Sequence, residues 1–113
     1  MPKTKTITHD DVIITVSEST NRIGRDRLAR LKALQDNAEY QSATDDDKAL
    51  MTLLCPLTAC VVSHTFKDWP LTFEQFLDLP EALTDQWVDA VQALNPHWWG
   101  RPDAPAELEK KAI

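Results

Sequence analysis

A long apolar stretch in the middle of the chain constrains the fold more than any other feature. It spans residues 49–62, and three consecutive aspartates at residues 45–47 precede it. Thr44 can cap a helix at this point, and carboxylates in a first turn interact favourably with the positive end of the helix dipole. Because its apolar residues cover most helical faces, the stretch predicts the central and most buried helix, over residues 44–62.

Pro56 lies inside this predicted helix. Proline lacks the amide proton that a helix needs, and its ring clashes with the carbonyl four residues earlier, which here belongs to Thr52. We therefore expect a kink or a break near Leu53. The apolar stretch is also shorter than the roughly 18 residues expected of a membrane span, so we predict no membrane association.

The N-terminal segment, residues 7–16, has the pattern of a β-strand. Val12, Ile14 and Val16 fall on one alternating face, and β-branched residues are frequent. We predict one strand here. Because a single strand cannot satisfy its own backbone groups, it should pair with a second copy, with another protein or with a short strand elsewhere in the chain.

Residues 21–40 have helical periodicity. Their apolar side chains fall within an arc of about 120°, which predicts an amphipathic helix buried on one side. Five of residues 22–32 are basic and only Asp26 opposes them. This segment forms either a solvated helix face or a basic surface that steers a partner. The apolar side chains of the arc are Leu28, Leu31, Leu34 and Ala38.

Local capping signals divide the C-terminal half into two helices. Residues 72–75 form a Thr-x-x-Gln capping box that should open a short helix through Leu79. A final helix is predicted over residues 80–94, because proline is favoured at a first helical position and apolar residues follow at helical spacing. Asn95 and Pro96 should end it, since asparagine tolerates the left-handed cap and proline cannot continue a helix.

Together these elements predict a mainly α protein, a small single-domain helical fold with one N-terminal strand. The 113 residues suit one hydrophobic core. We assign residues 1–100 to this helical domain. Residues 101–113 follow several helix breakers and carry mixed charge, so they predict a flexible C-terminal tail.

Charge and cysteine usage narrow the classes of function. The net charge of −6 argues against binding to nucleic acid, because phosphate repels an acidic surface. The first residues do not match a signal peptide, so we expect the protein to remain in a reducing cytosol. Cys55 and Cys60 would point in different directions from one helix, which predicts two free thiols.

Cys60 and His64 are the strongest candidates for chemistry. Four residues apart on a helix, they could be two metal ligands, with His9 or His97 completing the set. They could also form a nucleophilic pair, but no orienting group or oxyanion site can be placed. A buried cysteine that acts as a small apolar residue explains the same pattern. We predict no metal, no cofactor, no catalytic residue and therefore no enzymatic activity.

Carboxylates recur every four residues on the predicted final helix, at Glu81, Asp85 and Asp89. Paired carboxylates can act as acid and base when an apolar pocket raises the pKa of one of them. These three instead stand opposite Leu83 and Trp87 on the helix. The simpler interpretation is the solvated face of an amphipathic helix.

Aromatic residues concentrate in the C-terminal half and are the most informative feature for function. The first four are explained either as core residues or as contacts for a partner. The last three follow the predicted helix stop, so they either fold back onto the core or present an anchor to a partner. The predicted partner-binding residues are Trp69, Phe73, Phe76, Trp87, His97, Trp98 and Trp99.

Two segments carry a resemblance to a known family. Residues 69–83 read Trp-Pro-Leu-Thr-Phe-Glu-Gln-Phe-Leu-Asp-Leu-Pro-Glu-Ala-Leu, and residues 94–98 read Leu-Asn-Pro-His-Trp. Preceded by a strand-like segment, a helix rich in leucine and arginine, and an apolar helix, this order resembles the small tail assembly chaperones of tailed bacteriophages and prophages.

The resemblance implies a binding chaperone of the host cytoplasm that acts during tail morphogenesis. Such a protein would coat the long helical tape measure protein, keep it soluble and help to recruit the tail tube protein. The rival interpretation is a small dimerising adaptor or regulatory protein, in which the N-terminal strand pairs across a two-fold axis to form a homo-oligomer.

Overall fold

The computed structural model describes residues 2–99 of the 113-residue chain. The flexible tail predicted over residues 101–113 lies outside the described residues. Strands occur at the N-terminal end and after the central helix, and helices account for most of the remainder. The elements are strands β1 (Thr4–His9), β2 (Val12–Ser17) and β3 (Val61–His64), helices α1 (Asn21–Gln35), α2 (Ala38–Gln41), α3 (Asp45–Ala59), α4 (Phe73–Leu77) and α5 (Glu81–Leu94), and a 3₁₀ helix (Pro96–Trp99).

An antiparallel sheet in the order β1-β2-β3 is the largest departure from the sequence-based expectation. The segment predicted as one strand is a hairpin, in which β1 and β2 flank the turn residues Asp10 and Asp11. Asp10 has a φ of 51°, in the left-handed region that aspartate tolerates better than most residues. The prediction of a mainly α protein with one strand is therefore wrong, and the described residues form an α+β fold.

The third strand comes from the apolar stretch predicted to be helical throughout. Helix α3 ends at Ala59, and Val61 and Val62 begin β3. Valine suits both a buried helix and a strand by its apolarity, so pairing with β2 decides between them. The register sets Val61 opposite Val16, with an irregularity beside this pair. The helix predicted over residues 44–62 is thus too long at its C-terminal end.

The beginning and the middle of α3 can be compared with the prediction directly. The hydroxyl of Thr44 accepts a hydrogen bond of 3.2 Å from the backbone amide of Asp47, which confirms the predicted cap. The residues of α3 are all described, and the helix runs unbroken through Pro56. The break considered near Leu53 is therefore absent from this helix.

The helix predicted over residues 21–40 is divided into α1 and α2. The side chain of Asn37 accepts a hydrogen bond of 3.0 Å from the backbone amide of Tyr40 and caps α2. Asparagine competes in this way with the continuation of a preceding helix, because its side chain offers the backbone an alternative partner. The cap at Asn37 therefore starts a new helix where the apolar periodicity predicts that one helix continues.

The face of α1 that packs against α3 is rotated away from the predicted one. Leu28 is 61% exposed, whereas Leu34 is half-buried. Arg30 lies at the contact, where its Nε donates to Asp26 Oδ2 at 2.8 Å and its Nη1 donates to Thr58 Oγ1 at 3.1 Å. All residues of α1 are described, and none of its side chains is fully buried. The predicted burial of this helix is wrong for Leu28.

The two C-terminal helices follow their local signals. The hydroxyl of Thr72 accepts a hydrogen bond from the amide of Gln75, and the side-chain oxygen of Gln75 accepts one from the amide of Thr72, so the predicted capping box is confirmed. Pro80 occupies the N-cap position of α5, which ends at Leu94 before the predicted stop. The final helix is therefore confirmed over most of its length.

Helix α5 lies across one face of the sheet and closes the hydrophobic core. The opposite face carries the exposed side chains of Ile13 and Val62. None of the helices within residues 2–99 is both long and apolar enough to cross a membrane. The buried core cluster consists of Ile7, Ile14, Val16, Leu57, Cys60, Phe76, Leu83, Trp87, Ala90 and Val91.

The indole of Trp87 holds the last turn of α3. Trp87 is fully buried, and its Nε1 donates a hydrogen bond of 3.1 Å to the carbonyl oxygen of Leu57. Carbonyl groups in the last turn of a helix lack partners within the helix, and a buried carbonyl without any partner costs about 1–3 kcal/mol. Through this hydrogen bond, Trp87 connects α5 to the junction between the end of α3 and the start of β3.

Asn95 joins the same junction to β2 and to the end of α5. Its side chain is fully buried, and its Oδ1 accepts a hydrogen bond from the backbone amide of Ser19. Its Nδ2 lies 3.3 Å and 3.4 Å from the carbonyl oxygens of Val91 and Ser17, and 3.6 Å from Cys60 Sγ. Asn95 has a φ of −135°, so the predicted left-handed cap is wrong. Its backbone amide and its Nδ2 both donate to the carbonyl oxygen of Val91 at the end of α5.

Replacing Asn95 with alanine is expected to lower the free energy of unfolding by about 2–4 kcal/mol, because several backbone groups around it would lose a partner. Urea denaturation followed by tryptophan fluorescence measures this change. Asn37→Ala is the matched control, since Asn37 is exposed and caps one short helix, and it should cost about 1 kcal/mol or less. Equal losses in the two variants would contradict a special role for Asn95.

Candidate partner-binding surface

The aromatic residues predicted to bind a partner occupy different environments. Phe76 and Trp87 are buried in the core cluster. Their side chains are almost completely enclosed within this cluster, so they present little surface to another molecule in this fold. For these two residues the structure matches the core explanation considered at the sequence level.

Trp69 belongs to a stack of aromatic rings that begins in the core. Its ring centroid lies 4.2 Å from that of His64, with an interplanar angle of 26°, and 5.8 Å from that of Phe66. Phe66 in turn lies 6.0 Å from Trp87. The half-buried Trp69 therefore anchors the segment between β3 and α4 to the core through ring contacts.

Phe73 lies in a groove between this anchored segment and the helices α1 and α3. The groove has a volume of about 450 Å³. Its apolar lining comes from three parts of the chain, and Arg30, Asn37, Glu39 and Thr58 add polar groups to the lining. We call this site the Phe73 groove. Its apolar lining consists of Ala33, Leu34, Met51, Leu54, Cys55, Pro70, Leu71 and Phe73.

The sequence predicts only one of the two walls of the Phe73 groove. The aromatic pattern pointed to Phe73, but the opposite wall comes from Leu34 on α1 and Leu54 on α3. These leucines have the spacing of ordinary core residues, so periodicity alone predicts that they are buried. Their half-exposure follows from the rotated packing of α1, and no local signal in the sequence encodes it.

The segment around Trp98 folds back against the helices. The guanidinium carbon of Arg27 lies 4.6 Å from the centroid of the Trp98 ring, a cation–π geometry. Trp98 is half-buried and packs against the core cluster, whereas His97 is exposed. Trp99 ends the 3₁₀ helix. For Trp98 the structure thus matches the fold-back explanation, and a role in partner binding stays a prediction for His97, Trp98 and Trp99.

Cys60 and His64 do not lie on one helix as the metal hypothesis requires. Cys60 caps the end of α3, whereas His64 lies in β3 and accepts a hydrogen bond at Nδ1 from the backbone amide of Phe66. Within the described residues, histidine, cysteine and carboxylate side chains form no group of three that could hold a metal ion.

The two thiols are buried and free. Burial raises the pKa of Cys60 from its ordinary value of 9.0 to about 12, although the positive charge of Arg27 opposes the rise. Burial also raises the pKa of Cys55, against the opposing charges of Arg30 and Arg27. Because the thiolate is the reactive form, both cysteines are poor nucleophiles near neutral pH.

The carboxylates of α5 lie where the amphipathic interpretation places them. Glu81, Asp85 and Asp89 are all exposed, and Leu83 and Trp87 on the other side of the helix are buried. The interpretation of these three residues as a solvated face is confirmed.

Comparisons with protein-family models, with curated proteins and with solved structures return no match to this chain. A functional assignment therefore depends on the surface chemistry of the fold and on the resemblance of residues 69–83 and 94–98.

Ionisation of Cys60 should make the protein less stable at alkaline pH. The unfolded thiol loses its proton near pH 9.0 and the folded thiol near pH 12, so unfolding releases a proton in this window and rising pH favours it. The free energy of unfolding of the wild type should therefore fall more steeply between pH 9 and 11 than that of Cys60→Ala, by up to about 1.4 kcal/mol per pH unit. Urea denaturation at stepped pH measures both slopes.

Thr52→Ala serves as the control, because Thr52 is exposed and its side chain does not ionise in this pH range. Its free energy of unfolding should fall with pH as steeply as that of the wild type. Identical slopes in the wild type and in Cys60→Ala would show that the buried thiol does not resist ionisation.

Proposed function

We propose that this protein is a tail assembly chaperone of a tailed bacteriophage or prophage. It binds the tape measure protein in the host cytoplasm, keeps it soluble during tail morphogenesis and assists the recruitment of the tail tube protein. It acts by binding and has no catalytic activity. The proposal is supported by the resemblance of two segments to this family and by an apolar groove of suitable size.

The observation that carries the proposal is the position of the resembling segment in the fold. Pro70, Leu71 and Phe73 belong to residues 69–83 and form one wall of the Phe73 groove. Phe76 belongs to the same segment and is buried in the core. The segment thus has a structural side and an open apolar side, and the open side borders the groove.

The local structure holds Phe73 rigidly at this position. The capping box of Thr72 and Gln75 fixes the first turn of α4, of which Phe73 is the first residue. The ring stack of Trp69 fixes the preceding segment from the other side. A pre-formed apolar wall binds a ligand without the entropic cost of ordering loose side chains.

The chemistry of the proposed partner suits such a groove. A long helical protein exposes apolar side chains along one face before its final partners cover them, and exposed apolar surface promotes aggregation. Helix-in-groove recognition covers side chains at positions i, i+3, i+4 and i+7 of an amphipathic helix. The polar groups that Arg30, Asn37 and Glu39 add to the lining can bind the polar groups beside these anchors.

A small dimerising adaptor is the second candidate. The edge of the sheet supports it, because β1 pairs with β2 on one side only within the described chain. An open strand edge can pair with the same strand of a second copy across a two-fold axis. A stable dimer that neither binds nor solubilises a tape measure protein would favour this candidate.

Filling the Phe73 groove should prevent binding to the tape measure protein. Ala33 is exposed on α1 and lines the groove, so Ala33→Trp places an indole in it without removing a core contact. We expect affinity for the tape measure protein encoded in the same tail gene cluster to fall at least about tenfold. Co-expression followed by size exclusion with light scattering, and titration of the purified pair, measure the effect.

Ala29→Trp is the matched control, because Ala29 is exposed one turn earlier on α1 and lies outside the Phe73 groove. It should bind within about twofold of the wild type. Unchanged binding by Ala33→Trp would exclude the groove as the contact. A wild-type protein that leaves the tape measure protein insoluble would overturn the proposed function itself.

A further inference from the structure

Another apolar groove adjoins α4. It is formed by α3, α4 and α5 and has a volume of about 600 Å³. Leu50 and Leu53 of α3 and Val88 of α5 are half-buried in it, and Leu77 of α4 is 45% exposed beside them. Solvated helix faces do not account for an apolar floor of this kind, so a further explanation is needed.

The rim of this groove has one sign of charge. Glu81, Asp85 and Asp89 lie along it on α5, each exposed and one turn of helix apart. None of the described residues that line it is lysine or arginine. We call this site the acidic groove. Its chemistry fits a helix face that combines an apolar anchor with cations spaced by about one or two turns.

Such a face is present on α1 of the same chain. Arg25, Leu28 and Lys32 are spaced three and four residues apart, so they lie on one side of the helix. All three are exposed, and Leu28 is the most exposed large apolar side chain among the described residues. The one acidic residue of α1, Asp26, is 47% exposed at its side chain, but its carboxylate is paired with Arg30 of the same helix at 2.8 Å. We call Arg25, Leu28 and Lys32 the basic strip.

The lengths of the two surfaces also agree. The basic strip covers seven residue steps, about 10 Å of helix, and the carboxylates from Glu81 to Asp89 cover eight steps, about 12 Å. Two oppositely charged rows of this length can align along packed helices. Leu28 would then enter the groove between the rows, where it meets Leu77 and Val88.

We propose that the basic strip of one molecule docks in the acidic groove of a second copy. Because the two surfaces differ, one such contact is heterologous, so the first molecule of a pair keeps its groove free and the second keeps its strip free. Self-association through it therefore continues beyond a dimer, into a ring or an open row of subunits. This inference does not rest on the proposed function, since it involves neither the tape measure protein nor the Phe73 groove.

Charge reversal on each surface tests the contact with this protein alone. Arg25→Glu with Lys32→Glu leaves two acidic surfaces on one molecule, and Asp85→Lys with Asp89→Lys leaves two basic ones. Each double variant by itself should associate at least about tenfold more weakly than the wild type. An equimolar mixture should associate again, because each variant then meets a surface of opposite charge. Sedimentation velocity over a range of concentrations measures all four samples.

Salt and the apolar anchor provide independent readouts. Wild-type association should weaken as the ionic strength rises, since exposed ion pairs are screened. Leu28→Ser should also weaken it while leaving thermal stability unchanged, because the side chain is largely exposed. Matched charge reversals elsewhere, Lys5→Glu with Lys67→Glu and Asp11→Lys with Asp68→Lys, should retain wild-type association, because these exposed residues lie outside both surfaces.

Two results would overturn the proposal. One is a wild-type protein that remains monomeric at low salt up to about 1 mM, the concentration at which even weak specific contacts are detected. The other is association that survives in both charge-reversed variants, which would place the contact elsewhere, for example at the edge of β1. Association that is lost in each double variant and returns when the two variants are mixed distinguishes the proposed contact from a general effect of net charge.

Discussion

The hydrogen bond from the indole of Trp87 to the carbonyl of Leu57 stands at the centre of this fold. It satisfies the backbone at the end of α3 from a helix that is distant in sequence. Because α3 can end there, Val61 begins a strand and completes the sheet. Asn95 binds the same junction from the far end of α5. One helix thereby fixes where another stops, and the position of the segment leading to Phe73 follows from that stop.

The sequence predicted the elements whose signals are local. The caps at Thr44 and Thr72 form because a hydroxyl accepts from an amide three residues later, and this geometry needs no other part of the chain. The strands were misjudged because their identity is not local. Val61 and Val62 fit a buried helix as well as a strand until Ile14 and Val16 supply the pairing edge.

The candidate site was predicted in part for the same reason. The grouping of aromatic residues predicts a partner-binding role for Phe73, which lines the groove. It predicts the same role for Trp87, which is buried in the core. The wall formed by Leu34 and Leu54 depends on how α1 rests on α3. That packing places Arg30 at the contact between the two helices, where it donates hydrogen bonds to Asp26 and Thr58. Hydrophobic periodicity alone predicts that Arg30 faces solvent.

The two walls of the Phe73 groove differ in stiffness, because α1 packs against the rest of the fold without burying a side chain completely. The wall around Leu71 and Phe73 is locked by ring stacking and a capping box, whereas the wall around Leu34 belongs to a helix without a fully buried side chain. Moving α1 outward would expose none of its own side chains from full burial, whereas α3 and α5 each have several buried side chains, so we expect the movement of α1 to cost less. A cleft with one compliant side accommodates guests of different width and discriminates weakly among them. Such tolerance would suit the proposed function, in which the groove meets many unlike stretches of one long polypeptide.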